Sequence, residues 1–165
     1  MKKYFFLFIF TFSILNSCTS EKTTTYYLIR HAEKDRSDIT NRNPNLNFDG
    51  EKRAQNWSNF FKEISLDAVY STKYNRTIQT ATPTSQDKKI EIQFYNPNNL
   101  YDSVFKENTK GKVVLIVGHS NTTPAFANAI LEENKYNDID DKDNASLFII
   151  SVKGNKKTGK IEKVN

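Results

Sequence analysis

The run Val113-Val114-Leu115-Ile116-Val117 restricts this chain more than any other stretch of its 165 residues. A strand with one wet face alternates apolar and polar residues, whereas an unbroken apolar run must be covered on both faces. Helices on both sides of a parallel sheet are the usual way to provide that cover. The rest of the chain supplies the parts. Tyr26 to Arg30 and Asp67 to Ser71 read as short buried strands, and Lys89 to Phe94 alternates as an edge strand does. Leu147 to Val152 and Ile161 to Val164 read as closing strands, joined through Gly154-Asn155 and Gly159 as a turn region. Asp49 is placed to cap a helix reaching about Ile64, with Ala54, Trp57, Phe60, Phe61 and Ile64 on one face. A second helix is expected from Tyr74 to about Thr82, and a third from Asn121 to Leu131 with Pro124 in its first turn. Lys34 to Asn47 has the composition of a loop. The expected fold is α/β, a three-layer α/β/α sandwich with a mainly parallel central sheet.

The first 17 residues do not suit that domain. A basic start, Met1-Lys2-Lys3, precedes the apolar run Tyr4 to Leu15, and the stretch closes in Leu15-Asn16-Ser17-Cys18. This is the layout of a secretory signal, and its apolar part is shorter than the roughly 20 residues that a membrane-spanning helix needs. Cys18 is the only cysteine, so no disulfide framework explains it. Its place three residues after Leu15 resembles the bacterial lipobox, in which that cysteine is acylated and becomes the mature N-terminus. The organisation read here is a signal peptide at residues 1–17, a lipidated cysteine and tether at 18–24, and one domain at 25–165. It implies an exported lipoprotein held at a membrane by its N-terminal lipid. Thr19 in place of Asp after the cysteine points, by analogy with enterobacterial sorting, to the outer membrane, facing periplasm or cell surface. An ordinary cleaved signal or an uncleaved anchor are the plainer alternatives.

Charge narrows the partners. The net charge of +5 falls to +3 once Lys2 and Lys3 leave with the signal, since 22 basic residues then face 19 acidic ones. So mild and dispersed an excess does not suit nucleic acid. The Lys153 to Lys163 cluster is more simply a solvated edge, where lysines guard an exposed strand.

Three segments end a buried strand and continue at once in polar residues. They are Leu28-Ile29-Arg30-His31-Ala32-Glu33, then Tyr70-Ser71-Thr72-Lys73-Tyr74-Asn75-Arg76-Thr77-Ile78-Gln79-Thr80-Ala81, then Val117-Gly118-His119-Ser120-Asn121-Thr122. In an open α/β sheet the carboxyl ends of the strands form the ligand crevice, so all three should converge. The chain has two histidines, and both lie in these segments. Neutral imidazole attacks phosphorus competently at neutral pH, and nearby guanidinium groups oppose its protonation. Arginine also supplies the planar fork that matches phosphoryl oxygens. For either histidine alone a structural role is the better reading; the coincidence of two histidines with Arg30 and Arg76 at matched strand ends favours chemistry.

In that order, these segments resemble the histidine phosphatase superfamily, also called the phosphoglycerate mutase-like family. Leu46-Asn47-Phe48-Asp49-Gly50 is similar to that family's Leu-Thr-x-x-Gly helix opening, and the resemblance spans about residues 25 to 125. It implies that His31 attacks phosphorus and becomes a phosphohistidine. Arg30 and Arg76 would clamp the phosphoryl oxygens, His119 would donate to them, and Asn121 would add a contact at a helix start. It implies no metal and no cofactor. Ala32 stands where the family often has Gly, and Ser120 after His119 means that the His-Asp acid motif is absent. For the general acid the reading favours Asp102. Glu33 adjoins the pocket as a substrate contact or a structural residue, Asp102 lies near where many members carry their acid, and small members acting on phosphohistidine manage without one. About twenty residues separate the Gln79-Thr80-Ala81 helix from Asn99-Leu100, too few for an inserted cap. The expected activity is hydrolysis of phosphomonoesters or phosphorylated side chains, on a small molecule or a phosphoprotein. The alternatives are a phosphoglycerate-type mutase, which an export signal disfavours, and a lipoprotein that binds phosphorylated ligands without turnover.

Overall fold

The computed structural model describes residues 21–164. The leader and Cys18 lie outside the described residues. Ten elements follow in order: β1 (Thr24–Arg30), α1 (Phe48–Phe61), β2 (Ala68–Ser71), α2 (Asn75–Lys88), β3 (Ile92–Phe94), α3 (Ser103–Thr109), β4 (Val113–Gly118), α4 (Thr122–Leu131), β5 (Ser146–Lys153) and β6 (Lys156–Lys163). The six strands form one sheet in the order β3-β2-β4-β1-β5-β6. The first four in that row are parallel, and β5 and β6 are added antiparallel as a hairpin. The three-layer α/β architecture expected from the sequence is present, with the unbroken apolar strand β4 at its centre.

Strand pleating divides the core in two. Tyr26 and Leu28 of β1 and Val114 and Ile116 of β4 pack on one face with Phe105 of α3 and Phe126, Ala127 and Ile130 of α4. Ile29, Leu115 and Val117 pack on the other with Trp57 and Phe61 of α1 and Ala81 of α2. Alternate residues of one strand thus feed opposite cores, which is why β4 carries no polar side chain.

Several boundaries depart from the sequence expectation. Strand β1 starts at Thr24, whose Oγ1 accepts from the Gly111 amide at 2.8 Å, one residue before the domain start expected from the sequence. Asn47, not Asp49, caps α1: its Oδ1 accepts from the Gly50 amide at 2.8 Å, and Asp49 falls in the first turn. Of the predicted apolar face, Ala54, Trp57 and Phe61 are fully buried, while Phe60 and Ile64 sit at its margin. Helix α2 continues past Thr82 and through Pro83 to Lys88, since its face of Thr77, Thr80, Ala81 and Thr84 remains buried along that length. It stops where Lys89 turns left-handed at φ 56°. Helix α3 was not expected, being one short element capped by Asp102. Gly159 lies inside β6 opposite Ile150 and not in the turn, which is only Gly154-Asn155.

Pairing in β1 and β4 sets the working end. Arg30 lies beside Gly118 and Ser71 beside Val117, so the carboxyl ends of β1, β4 and β2 finish level with one another. Helices α1 and α2 cover one face and α3 and α4 the other, which puts the reversal of strand order at this point. The close approach of α1 to the chain leaving β1 depends on Gly50. A Cβ there would lie 2.1 Å from the Glu33 carbonyl oxygen. Gly50→Ala should therefore lower unfolding free energy by about 1–3 kcal/mol through forced displacement of residues 31–33, measured by urea denaturation; an unchanged midpoint would refute this packing.

Candidate active site

The first wall of the crevice is the chain leaving β1. Its polar groups are fully committed: the His31 amide donates to the Gly118 carbonyl at 2.9 Å, the His31 carbonyl accepts from Asn144 Nδ2 at 2.8 Å, and the Ala32 amide donates to Thr80 Oγ1 at 2.9 Å. His31 Nδ1 lies 2.7 Å from the Ala32 carbonyl oxygen. A carbonyl can only accept, so Nδ1 carries the proton and Nε2 the free lone pair. Arg30 is 3% exposed and clasped by the segment before β5. Its Nη1 donates to the Asp140 carbonyl at 2.8 Å and its Nη2 to Asp141 Oδ1 at 2.6 Å, while its Nε is buried without a partner.

The second and third walls follow β2 and β4. Arg76, in the first turn of α2, stacks on the Tyr74 ring at 4.5 Å and brings Nη2 to 3.4 Å from His119 Nδ1. Its Nε is likewise buried without a partner. Guanidinium only donates, so His119 Nδ1 accepts and its proton sits on Nε2, which lies 3.0 Å from Thr72 Oγ1. Thr77 Oγ1 donates to the Tyr74 carbonyl at 2.9 Å and so receives the Thr72 hydroxyl, 2.9 Å away. A directed chain from Arg76 through His119 and Thr72 to Thr77 thereby fixes one tautomer. Gly118 is needed before His119, because a Cβ would come within 2.8 Å of Thr123 Oγ1 and 2.9 Å of the Tyr95 hydroxyl.

The two imidazoles face each other with ring centres 5.5 Å apart. Burial, with Arg76 beside it, pushes the His31 imidazolium pKa down to about 3. His119 is pushed down to about 4 by burial and by Arg76 and Arg30. Burial also lowers Lys34, assisted by Arg36 and Arg76. The crevice thus presents neutral nitrogen among fixed cationic forks, with two guanidinium Nε donors unused: a receptor for a tetrahedral oxyanion beside a nucleophile.

A sequence model of the histidine phosphatase superfamily (branch 1) matches residues 26–96, which include Arg30, His31 and Arg76. Over that stretch the chain is similar to the histidine phosphatase superfamily. No curated protein sequence matches it. Among solved structures, an Agrobacterium tumefaciens protein assigned as the phosphohistidine phosphatase SixA is 19% identical, with TM-score 0.64 over 84% of this chain and 97% of that one. Phosphoglycerate mutase from Bacillus anthracis is 16% identical, with TM-score 0.64 over 88% and 94%. A mycobacterial glucosyl-3-phosphoglycerate phosphatase is 12% identical, with TM-score 0.63 over 87% and 99%. At these identities the likeness speaks for the histidine phosphatase fold.

Of the residues singled out in the sequence, His31, Arg30, Arg76 and His119 meet in one crevice. Asn121 borders the same crevice and caps α4, its Oδ1 accepting from the Thr122 amide. Glu33 does not face a substrate freely: both carboxylate oxygens accept from Arg53 Nε, at 2.8 and 2.9 Å, which ties it to α1. Asp102 is placed elsewhere. Its carboxylate accepts from the Phe105 amide at 2.7 Å and from Asn99 Nδ2 at 2.6 Å as the cap of α3, and it does not border the crevice. Sequence reasoning gave no role in the site to Asp141, Thr72, Thr80, Asn144 or Tyr74. Among the described residues no three metal-ligating side chains converge.

Two outcomes are expected. Asp102→Asn should leave turnover within about twofold while costing about 1 kcal/mol of stability through the weakened cap, read by kinetics and urea denaturation together; a hundredfold loss of turnover would restore Asp102 as an acid. The histidines are depressed in the folded state, so unfolding takes up protons below pH 6.5 and stability falls as pH drops from there toward 3 to 4. Between pH 7 and pH 5 His31 should account for about 1–2 kcal/mol of that loss, and His31→Gln should flatten the pH dependence of the denaturation midpoint by a corresponding amount.

Proposed function

We propose that this chain is a phosphatase working through a phosphohistidine on His31, acting on phosphomonoesters or phosphorylated side chains. The observation that carries this reading is the His31 ring itself: neutral, tautomer fixed by the Ala32 carbonyl, its Nε2 lone pair free beside two guanidinium groups. The Arg30 and Arg76 forks hold the phosphoryl oxygens. Nε2 forms the P–N bond as the P–O bond to the leaving group breaks, and the leaving oxygen keeps its charge or takes a proton from water. A water molecule then attacks phosphorus, the P–N bond breaks, and phosphate leaves with His31 neutral again. Charge balance on the transferring group supplies most of the acceleration. A phosphate dianion also raises the proton affinity of His119, whose Nε2–H is already fixed on Thr72. Nδ1 can then take a proton from water, release its hydrogen bond from Arg76 Nη2, and donate to a phosphoryl oxygen.

Substrate breadth follows from the short connection over the crevice. Only residues 95–102 join β3 to α3, leaving no inserted cap above His31, and an uncapped crevice admits phosphate on a bulky carrier. The proposal includes an N-terminal lipid on Cys18. Strand β1 enters at Thr24 and delivers Arg30 at its far end, roughly 20 Å away for seven residues. A tether at Cys18 would therefore leave the crevice facing away from the membrane surface. Among the described residues no helix is long and apolar enough to cross a membrane.

The test is turnover of p-nitrophenyl phosphate and of a phosphohistidine peptide by the purified protein, in EDTA, beside His31→Ala. Turnover should survive EDTA and fall at least a thousandfold in the variant, with 32P trapped on His31 by rapid quench. Phosphate binding without turnover on either substrate would leave a binding protein instead.

A further inference from the structure

The geometry points to Asp141 as a built-in competitor for the phosphate position at Arg30, a carboxylate that weakens phosphate binding and so favours release of the product. This rests on the phosphatase reading and says how that site treats its ligand. Arg30 is buried, yet its Nη2 is already taken by Asp141 Oδ1 at 2.6 Å, and the other carboxylate oxygen accepts from Arg36 Nη2 at 2.7 Å. Asp141 borders the crevice that holds both histidines and also the neighbouring hollow of Arg36, Asn47 and Lys142. Among the described residues it is the single carboxylate on the His119 side, and the other carboxylate near His31, Glu33, is held by Arg53.

The backbone around Asp141 is fixed while its side chain is not. The Asp140 and Asp143 carbonyls accept from Arg30 Nη1, the Ile139 amide donates to the Ser120 carbonyl at 2.9 Å, and Asp143 Oδ1 accepts from the Ala145 and Ser146 amides. The Asp141 side chain is 66% exposed and makes no bond to the backbone of that segment. An arriving phosphoryl group has two courses. It displaces the carboxylate from Arg30 toward solvent and Arg36, losing that ion pair, or it binds beside an anion and meets like-charge repulsion. Both weaken phosphate relative to a crevice with a neutral residue at 141. Hydrogen bonding from Arg30 holds the Asp141 carboxyl below the usual range, so at neutral pH it is an anion, as phosphate is.

Full-length protein with Asp141→Asn, Asp141→Glu or no change is compared by calorimetric titration with inorganic phosphate and by phosphate inhibition of p-nitrophenyl phosphate turnover. The Asn variant should bind phosphate about five- to tenfold more tightly, with KM falling more than kcat changes, and the Glu variant should keep the unsubstituted affinity. The thermal midpoint of the Asn variant is expected to fall modestly and leave the protein folded, because the buried Arg30 loses its carboxylate partner but can still donate to the amide oxygen of Asn. Equal or weaker phosphate binding by the Asn variant, while the unsubstituted protein binds phosphate and turns over, would overturn the competitor role and leave the phosphatase intact. Unchanged affinity with turnover lost on alkyl phosphates would overturn it too, assigning Asp141 to proton donation. Absence of phosphate binding and turnover in all three proteins would remove the phosphatase reading, and this inference with it.

Discussion

The parallel pairing of β1 with β4 is the constraint on which the site depends. Six residue pairs, from Thr25 beside Val113 to Arg30 beside Gly118, set where both strands end, and the His31 amide extends the ladder by donating to the Gly118 carbonyl. The two histidines sit next to each other because their strands do. A slip of one residue would send every side chain of β1 to the opposite face, exchanging Leu28 for Ile29 between two differently shaped cores. The register is therefore held by packing along the whole strand, and the chemistry at its end inherits that precision without a device of its own.

The crevice concentrates positive charge where burial makes charge costly. Arg30 is offset by two carbonyls and one carboxylate, and the Asn144 side chain ties the same segment to His31, so the approach to β5 acts as a counter-charge frame for the end of β1. Compensation is incomplete: the Nε atoms of Arg30 and Arg76 stay unpaired, and burial lowers the Arg76 pKa. Such residual cost is what an oxyanion relieves when it binds, and both histidines stay neutral for the same reason. Stability is given up at the place where affinity for phosphate is gained.

What the sequence disclosed and what it hid divide along physical lines. Val113 to Val117 forced a central strand, and Arg30-His31 with Gly118-His119 announced chemistry, because such residues at strand ends have no packing purpose. Asp102 misled for an equally local reason: an aspartate three residues before an amide at a helix start is an N-cap, and helix α3 was too short to leave a periodic signature. Helix α2 ran on through Pro83 because long-range burial outweighed a local breaker. Asp141 was invisible. Within Asp138-Ile139-Asp140-Asp141-Lys142-Asp143 it reads as one of several solvated acids, and only the fold carries it 111 positions along the chain to Arg30.

The carboxylates also bear on the substrate. Expelling an alkoxide from phosphorus needs a proton at the leaving oxygen, and a group near neutrality supplies it best. Here Glu33 is locked on Arg53, Asp102 is spent on the cap of α3, and Asp141 is an anion on Arg30. None is a carboxylic acid poised over the crevice. With His31 as the proposed nucleophile and His119 as the proposed donor to phosphoryl oxygen, neither would be free to protonate a departing alkoxide. Rate should therefore depend steeply on the leaving group in this crevice. On the proposed mechanism, phosphoramidates, aryl phosphates and acyl phosphates, which depart with little assistance, would suit it better than simple alkyl phosphates. On the proposed mechanism, an uncapped crevice and a leaving group that needs no acid agree on one class of substrate, reactive phosphoryl groups carried on an accessible partner.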